Sequence, residues 1–328
     1  MHNNNSSDSR NILDVTNHVR VNDPAAVADH ACQLFTETYG DASEHDRLRR
    51  AFVDFARLFR GQYEGYRACD TLYHDIQHTL DMTLATARLI NGHERLHPRD
   101  QLGKTRFVLG IVLALFHDSG YIRTDDDDGT VNGAIYTLTH VSRSGDFLRH
   151  YLPRIGLGRH ADLASRLVHF TGYEVELSSI HIDDTKDRTL GWLLGTADLI
   201  AQMSDRCYLE KCRDRLYPEF ALAGLAGKGG ESGHMVFTSP EDLLKKTPMF
   251  YRQSVLKRLN QELGGVHQFA GAFFDGNNHY MAMLNRNIGH LDRLVDEGNF
   301  QALRRQLPAT EGEEQFPFEI LGDGAAPT

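Results

Sequence analysis

Apolar residues recur at intervals of three and four along most of this chain. AAVADHACQLFTETYG and DRLRRAFVDFARLFRG each carry such a stripe and end at glycine, a common helix stop. HTLDMTLATARLING, TRFVLGIVLALFHDSG, DRTLGWLLGTADLIAQMSD and PMFYRQSVLKRLNQELGG repeat the pattern. SPEDLL, from Ser239, offers an N-cap serine, a proline at the first helical position and acids in the first turn. No stretch sustains the alternation of a strand, so the sequence predicts an all-α fold, a helical bundle. Residues 1–22 and 306–328 lack periodicity and read as tails, although Phe316, Phe318, Ile320 and Leu321 offer the second tail a means of docking. Between them, 23–305 reads as one α-helical domain with a helical extension from about residue 240. The Gly-rich stretch 224–239 is the loop most suited to a flap or boundary.

A formal charge of -10 over 328 residues argues against a nucleic-acid or anionic-membrane binder, which needs clustered Lys and Arg. The longest apolar run, FVLGIVLALF at 107–116, is about half the roughly 20 residues that span a bilayer. With no basic flank or apolar core at the N-terminus, a cytoplasmic protein is expected. Cys32, Cys69, Cys207 and Cys212 form no CxxC pair, so neither a zinc ribbon nor a disulfide framework is expected. Eighteen histidines are the compositional hint of metal chemistry.

The decapeptide YHDIQHTLDM spaces His74, His78 and Asp81 by four and three, which on a helix stacks them on one face. ALFHDSGY ends an apolar helix, 105–118, with His117 and Asp118, a pair that needs a partner if buried. Asp198 is embedded among Leu193, Leu194, Leu199 and Ile200, while His140 and His169 have apolar neighbours on other predicted helices. A single buried His or Asp is more often a hydrogen-bonded structural group than a ligand. Their joint order, H, HD, H, H, D on successive helices, changes that balance.

In that order the chain resembles the HD-domain superfamily of metal-dependent phosphohydrolases, over roughly residues 70–205. The decapeptide is similar to the YHN-x-x-H-x-x-D signature of class I cyclic nucleotide phosphodiesterases. The resemblance implies a phosphodiesterase-like helical bundle holding two divalent metal ions, Mg, Mn, Fe or Zn. His78, His117, Asp118 and Asp198 would ligate the first, with Asp118 bridging to the second and His140 and His169 as further ligands. His74 would be the proton donor, Asp118 the other catalytic group, and a small cyclic nucleotide the substrate. Tyr73 would line the cleft, and Gln268 and Phe273 in VHQFAGAFF are candidates for a purine clamp, without the family spacing. Two departures stand out: Asp75 replaces the usual Asn, and Tyr121 stands where those phosphodiesterases carry a further histidine.

Similar ligand orders occur in HD phosphohydrolases of other nucleotides and in HD-fold di-iron oxygenases, so these reactions stay open beside a degenerate binding module. Asp81 is expected to support His78 or to be a surface acid. Asp205 and Asp125 to Asp128 are expected to be solvated, and His267, His279 and His290 to be structural or surface histidines.

Overall fold

The computed structural model describes residues 10–127, 129–227 and 237–321. Among them every extended element is helical and no strand occurs, as the apolar periodicity predicts. Pro24–Tyr39 (α1) starts at an Asp23 cap and His45–Phe59 (α2) follows. Ile76–Leu96 (α3) and Lys104–Phe116 (α4) form the centre. His140–Arg154 (α5), Ala161–Leu167 (α6) and Thr185–Ser204 (α7) come next. Tyr208–Lys211 runs through a wide π turn, Cys212–Leu216, into Tyr217–Leu222, and this continuous run is α8. Pro240–Phe250 (α9), Phe269–Phe273 (α10) and His279–Glu297 (α11) complete the body.

α3 is the axis of the bundle, packing against α7, α10, α4 and α1. It is buried from Ile76 to Glu94 although it is not uniformly apolar. Its threonines make this possible. Thr79, Thr83 and Thr86 donate to the carbonyls four residues earlier, of Asp75, Thr79 and Met82, so their hydroxyls need no water. At Gly92 a methyl would collide with the Phe269 carbonyl, which lets α10 lie directly on α3.

The reading of residues 10–22 as tail is corrected. Val19 and Val21 join the core, and Asp14 accepts from the backbone of Val19 and pairs with the buried Arg88 of α3 at 2.7 Å. Arg88 also donates to the Tyr280 hydroxyl at 2.9 Å, so one guanidinium ties the N-terminal segment to α3 and α11. The C-terminal segment docks in part: Phe316 is buried, Phe318 half-buried, and Arg215 donates to the Pro308 carbonyl. Residues 1–9, the centre of the Gly-rich loop at 228–236, Asp128 and 322–328 lie outside the described residues. All four cysteines are buried and free, and no described helix is long and apolar enough to cross a membrane.

Candidate metal centre

The decapeptide is not one helical face. Asp75 caps α3, its carboxylate accepting from the His78 backbone N–H at 2.9 Å, so the helix starts at Ile76 and leaves Tyr73 and His74 in the preceding turn. That turn is held by the Thr71 hydroxyl donating to the His74 carbonyl at 2.9 Å. The second Asp75 oxygen lies 3.4 Å from the buried Arg215 of α8. A carboxylate here therefore does two tasks, a cap and an ion pair, and an amide could do only the first.

His78, on the first turn of α3, meets His117 and Asp118 at the C-terminal end of α4 and Asp198 on α7. His78, His117 and Asp118 are buried and their ligand atoms lie within 4.8 Å of one another. His78 Nε2 is 3.4 Å from Asp118 Oδ2 and 3.4 Å from Asp198 Oδ1. His117 Nε2 is 3.0 Å from Asp118 Oδ2 and 3.8 Å from Asp198 Oδ1. The other Asp118 oxygen, Oδ1, faces His140 Nε2 at 3.6 Å. Two ligands roughly 2.0–2.2 Å from a shared cation, at 90–110°, lie about 2.8–3.6 Å apart, so all of these pairs but His117–Asp198, at 3.8 Å, already have the spacing of ligands to one divalent ion.

The imidazoles are oriented for the task. His117 Nδ1 lies 2.8 Å from the Ala114 carbonyl and His140 Nδ1 lies 2.8 Å from the Thr137 carbonyl. A carbonyl only accepts, so each Nδ1 carries a proton and Nε2 is the atom turned to the cluster and available to a cation. His117 Nε2 and Asp118 Oδ2 are both buried without an aligned hydrogen bond, the state expected of metal-binding atoms. Burial resists charge on His117, yet Asp118 and Asp198 outweigh it and push the imidazole up to about 9. Burial also resists charge on Asp118, but His117 and its neighbours hold that carboxyl well below the usual range. A cation would relieve this concentration of negative charge and displace the imidazolium proton.

Beside the cluster, His74 Nδ1 pairs with Glu219 Oε2 at 2.5 Å. Glu219, fully buried on α8, also accepts from the Tyr73 backbone N–H at 2.6 Å. Burial lowers the His74 pKa, but Glu219 and Asp118 outweigh it and raise it above the ordinary value. Tyr121 fills the place between His74 and His140, stacked on each at 4.3 Å. The Tyr73 hydroxyl donates to Gln202 Oε1 at 3.2 Å, and its ring lies 5.2 Å from His74 and 5.6 Å from His78.

Other expected residues lie elsewhere. No carboxylate of the cluster is within ion-pair distance of His169; the charges acting on its ring are Glu174, Arg149 and Asp146. Its Nδ1 is buried without a hydrogen-bond partner, while Glu174 caps the helix of His140 through the Val141 and Ser142 N–H groups. Gln268 is exposed, and Phe273 packs under Arg88 and Arg95, along the C-terminal half of α3 and away from His78 at its start. α10 takes them there because it docks at Gly92. Asp81 is buried but supports no ligand: it faces Asp205, Asp14, Lys211 and Arg88. Asp205 is not a solvated acid either, since it pairs with the buried Lys211 at 2.6 Å. In the acidic run, Asp127 is fixed by Arg143 at 2.9 Å.

A family model described as Npun_R2479-like matches residues 29–288. The chain belongs to that family. The match takes in α3, α4, α5 and α7, and hence every member of the cluster in this Npun_R2479-like chain. No curated protein and no solved structure matches it.

Glu219, Glu174 and the Tyr121 stack were not found by sequence reasoning. Glu219 sits 145 residues from His74, in a stretch with no motif, and only the fold joins them.

Proposed function

We propose that this protein is a metal-dependent phosphodiesterase that hydrolyses a small cyclic nucleotide at the His78, His117, Asp118 and Asp198 centre. The observation that carries the reading is the division of Asp118, with Oδ2 toward His78 and His117 and Oδ1 toward His140. One carboxylate with histidines on both sides suits two adjacent divalent ions, the first held by His78, His117, Asp118 and Asp198, the second by Asp118 and His140. Bound there, such ions supply charge stabilisation of the phosphoryl oxygens and a nucleophile at neutral pH.

The remaining groups have distinct tasks. His74, paired through Nδ1 with Glu219 and lying just before the helix of His78, is suited to donate a proton from Nε2 to a leaving oxygen. Tyr121 sets the separation of His74 from His140 by stacking on both. Tyr73 closes the wall beside His74. With Gln268 and Phe273 at the far half of α3, no purine clamp is assigned, and a phosphoester of another nucleotide uses the same groups equally well. His169 outside the cluster weighs against the histidine-rich second site of an oxygenase.

The test is a hydrolysis screen of the purified chain with Mn, Mg, Fe or Zn, against cyclic mono- and dinucleotides, linear nucleotides and a nitrophenyl phosphodiester, with oxygen uptake followed in parallel. Metal-dependent release of phosphate monoester is expected. Oxygen consumption with a small polyol or phosphonate, and no phosphoester cleavage, would overturn the reading.

A further inference from the structure

A second cluster lies just beyond the C-terminal end of α7. Four arginines and a histidine line a cavity of about 230 Å³: Arg206 after α7, Arg286, His290 and Arg293 on α11, and Arg305 beyond it. Positions 286, 290 and 293 fall on one helical face, and Asn287 on that face donates to the Met203 and Asp205 carbonyls at 2.9 and 2.8 Å. These bonds lock α11 against the end of α7 and hold the arginines around the opening.

The charges are poorly balanced locally. Arg305 meets the buried Glu210 at 3.4 Å, and Arg206 donates to the neutral Asn17 amide at 2.6 Å. Neither Arg286 nor Arg293, both exposed, has an ion pair among the described residues. Burial together with Arg10, Arg305 and Arg286 holds Arg206 below its ordinary pKa. Burial, Arg293 and Arg305 do the same to His290, against the weaker pull of Glu210 and Glu297. In a chain of net charge -10, gathering like charges around a cavity costs free energy that a bound anion would recover.

We propose that this cavity is a binding site for a multiply charged, phosphate-bearing small molecule. Guanidinium forks match phosphate oxygens in pairs, and several of them favour a diphosphate over a single carboxylate. The volume falls just below the roughly 300–1,000 Å³ of ordinary small-molecule sites, which suits a compact anion rather than a polymer. The cavity shares no lining residue with the metal centre; from Asp198 to the helix end at Ser204 is roughly 9 Å at about 1.5 Å per helical residue, and Arg206 lies beyond it. The site stands whether or not the centre is a phosphodiesterase.

The experiment is calorimetric titration of the full chain with inorganic pyrophosphate, then orthophosphate. Saturable one-to-one binding of pyrophosphate is expected, tighter than orthophosphate and weakened by salt. Arg286→Ala combined with Arg293→Ala should weaken it at least tenfold with an unchanged melting temperature, and Arg286→Gln alone about threefold. Asp118→Asn should leave it intact. The proposal fails if no saturable binding occurs, if the arginine variants bind equally well, or if Asp118→Asn abolishes binding, which would put the anion at the metal centre. Tighter binding of an oligonucleotide with the same arginine dependence would also overturn it, in favour of a nucleic-acid surface.

Discussion

Glu219 decides what His74 can do, because it is the carboxylate on His74 Nδ1 and has no water to dilute its charge. Glu219→Gln keeps the shape and removes the charge. Turnover is expected to fall by about 10²-fold or more, with metal content unchanged, since the residue acts through a proton and not through a ligand. The His74 pKa falls with it, so the alkaline limb of the pH–rate profile moves to lower pH; an unmoved limb would exclude His74 as the acid. Asp81 gives a second test at this scale. Burial, then Asp205 and Asp14, push its carboxyl up to about 8 from the 3.8 of an unperturbed group. The folded state therefore keeps a proton that the unfolded chain releases, and stability is lost as pH rises from about 4 toward about 8. Melting curves of Asp81→Asn and the parent should nearly coincide near pH 4 and separate, with the variant higher, toward pH 8. Parallel behaviour would mean that Asp81 is charged in the fold. Sequence reading saw His74, His78 and Asp81 as one stripe; the cap at Asp75 divides them, and periodicity carries no information about where a cap falls.

The helices themselves were legible as elements, because each buries one stripe and periodicity reports that directly. Their junctions were not. Gly120 reads as a helix stop after His117 and Asp118, yet its structural reason lies across the chain: a methyl there would collide with the His140 carbonyl and the Arg143 side chain. Gly120→Ala should force α5 away from the end of α4, lowering stability by about 1–3 kcal/mol and reducing metal content through His140. Calorimetry and metal analysis check both, and a normal metal content in the destabilised variant would separate the junction from the site. Segment 10–22 was misread because its anchors, the Asp14–Arg88 pair and the packing of Val19 and Val21, arise only in the folded chain and leave no periodicity. Asp14→Ala leaves that guanidinium buried without its ion partner and should cost about 3–5 kcal/mol in denaturant unfolding. A loss below about 1 kcal/mol would mean that the ion pair is not what holds the segment.

At the scale of the whole molecule, the sequence singled out His78, His117, Asp118, His140 and Asp198, which the fold brings close together, because buried polar residues in apolar helices are conspicuous. It did not foresee that Gln268 would be exposed and Phe273 packed under Arg88 and Arg95, since helix membership was clear but the docking of α10 at Gly92 was not. The gathered set is proposed to bind divalent metal ions and to cleave a phosphodiester. The most direct measurement is elemental metal analysis of the purified chain and its Asp118→Ala variant, paired with phosphodiester hydrolysis by the same samples. The parent is expected to bind up to two divalent ions and to hydrolyse the diester. Asp118→Ala, still folded, should lose the metal and at least about 10²-fold of the rate, as removal of a shared ligand requires. Equal metal content and equal hydrolysis in the two proteins would contradict the account.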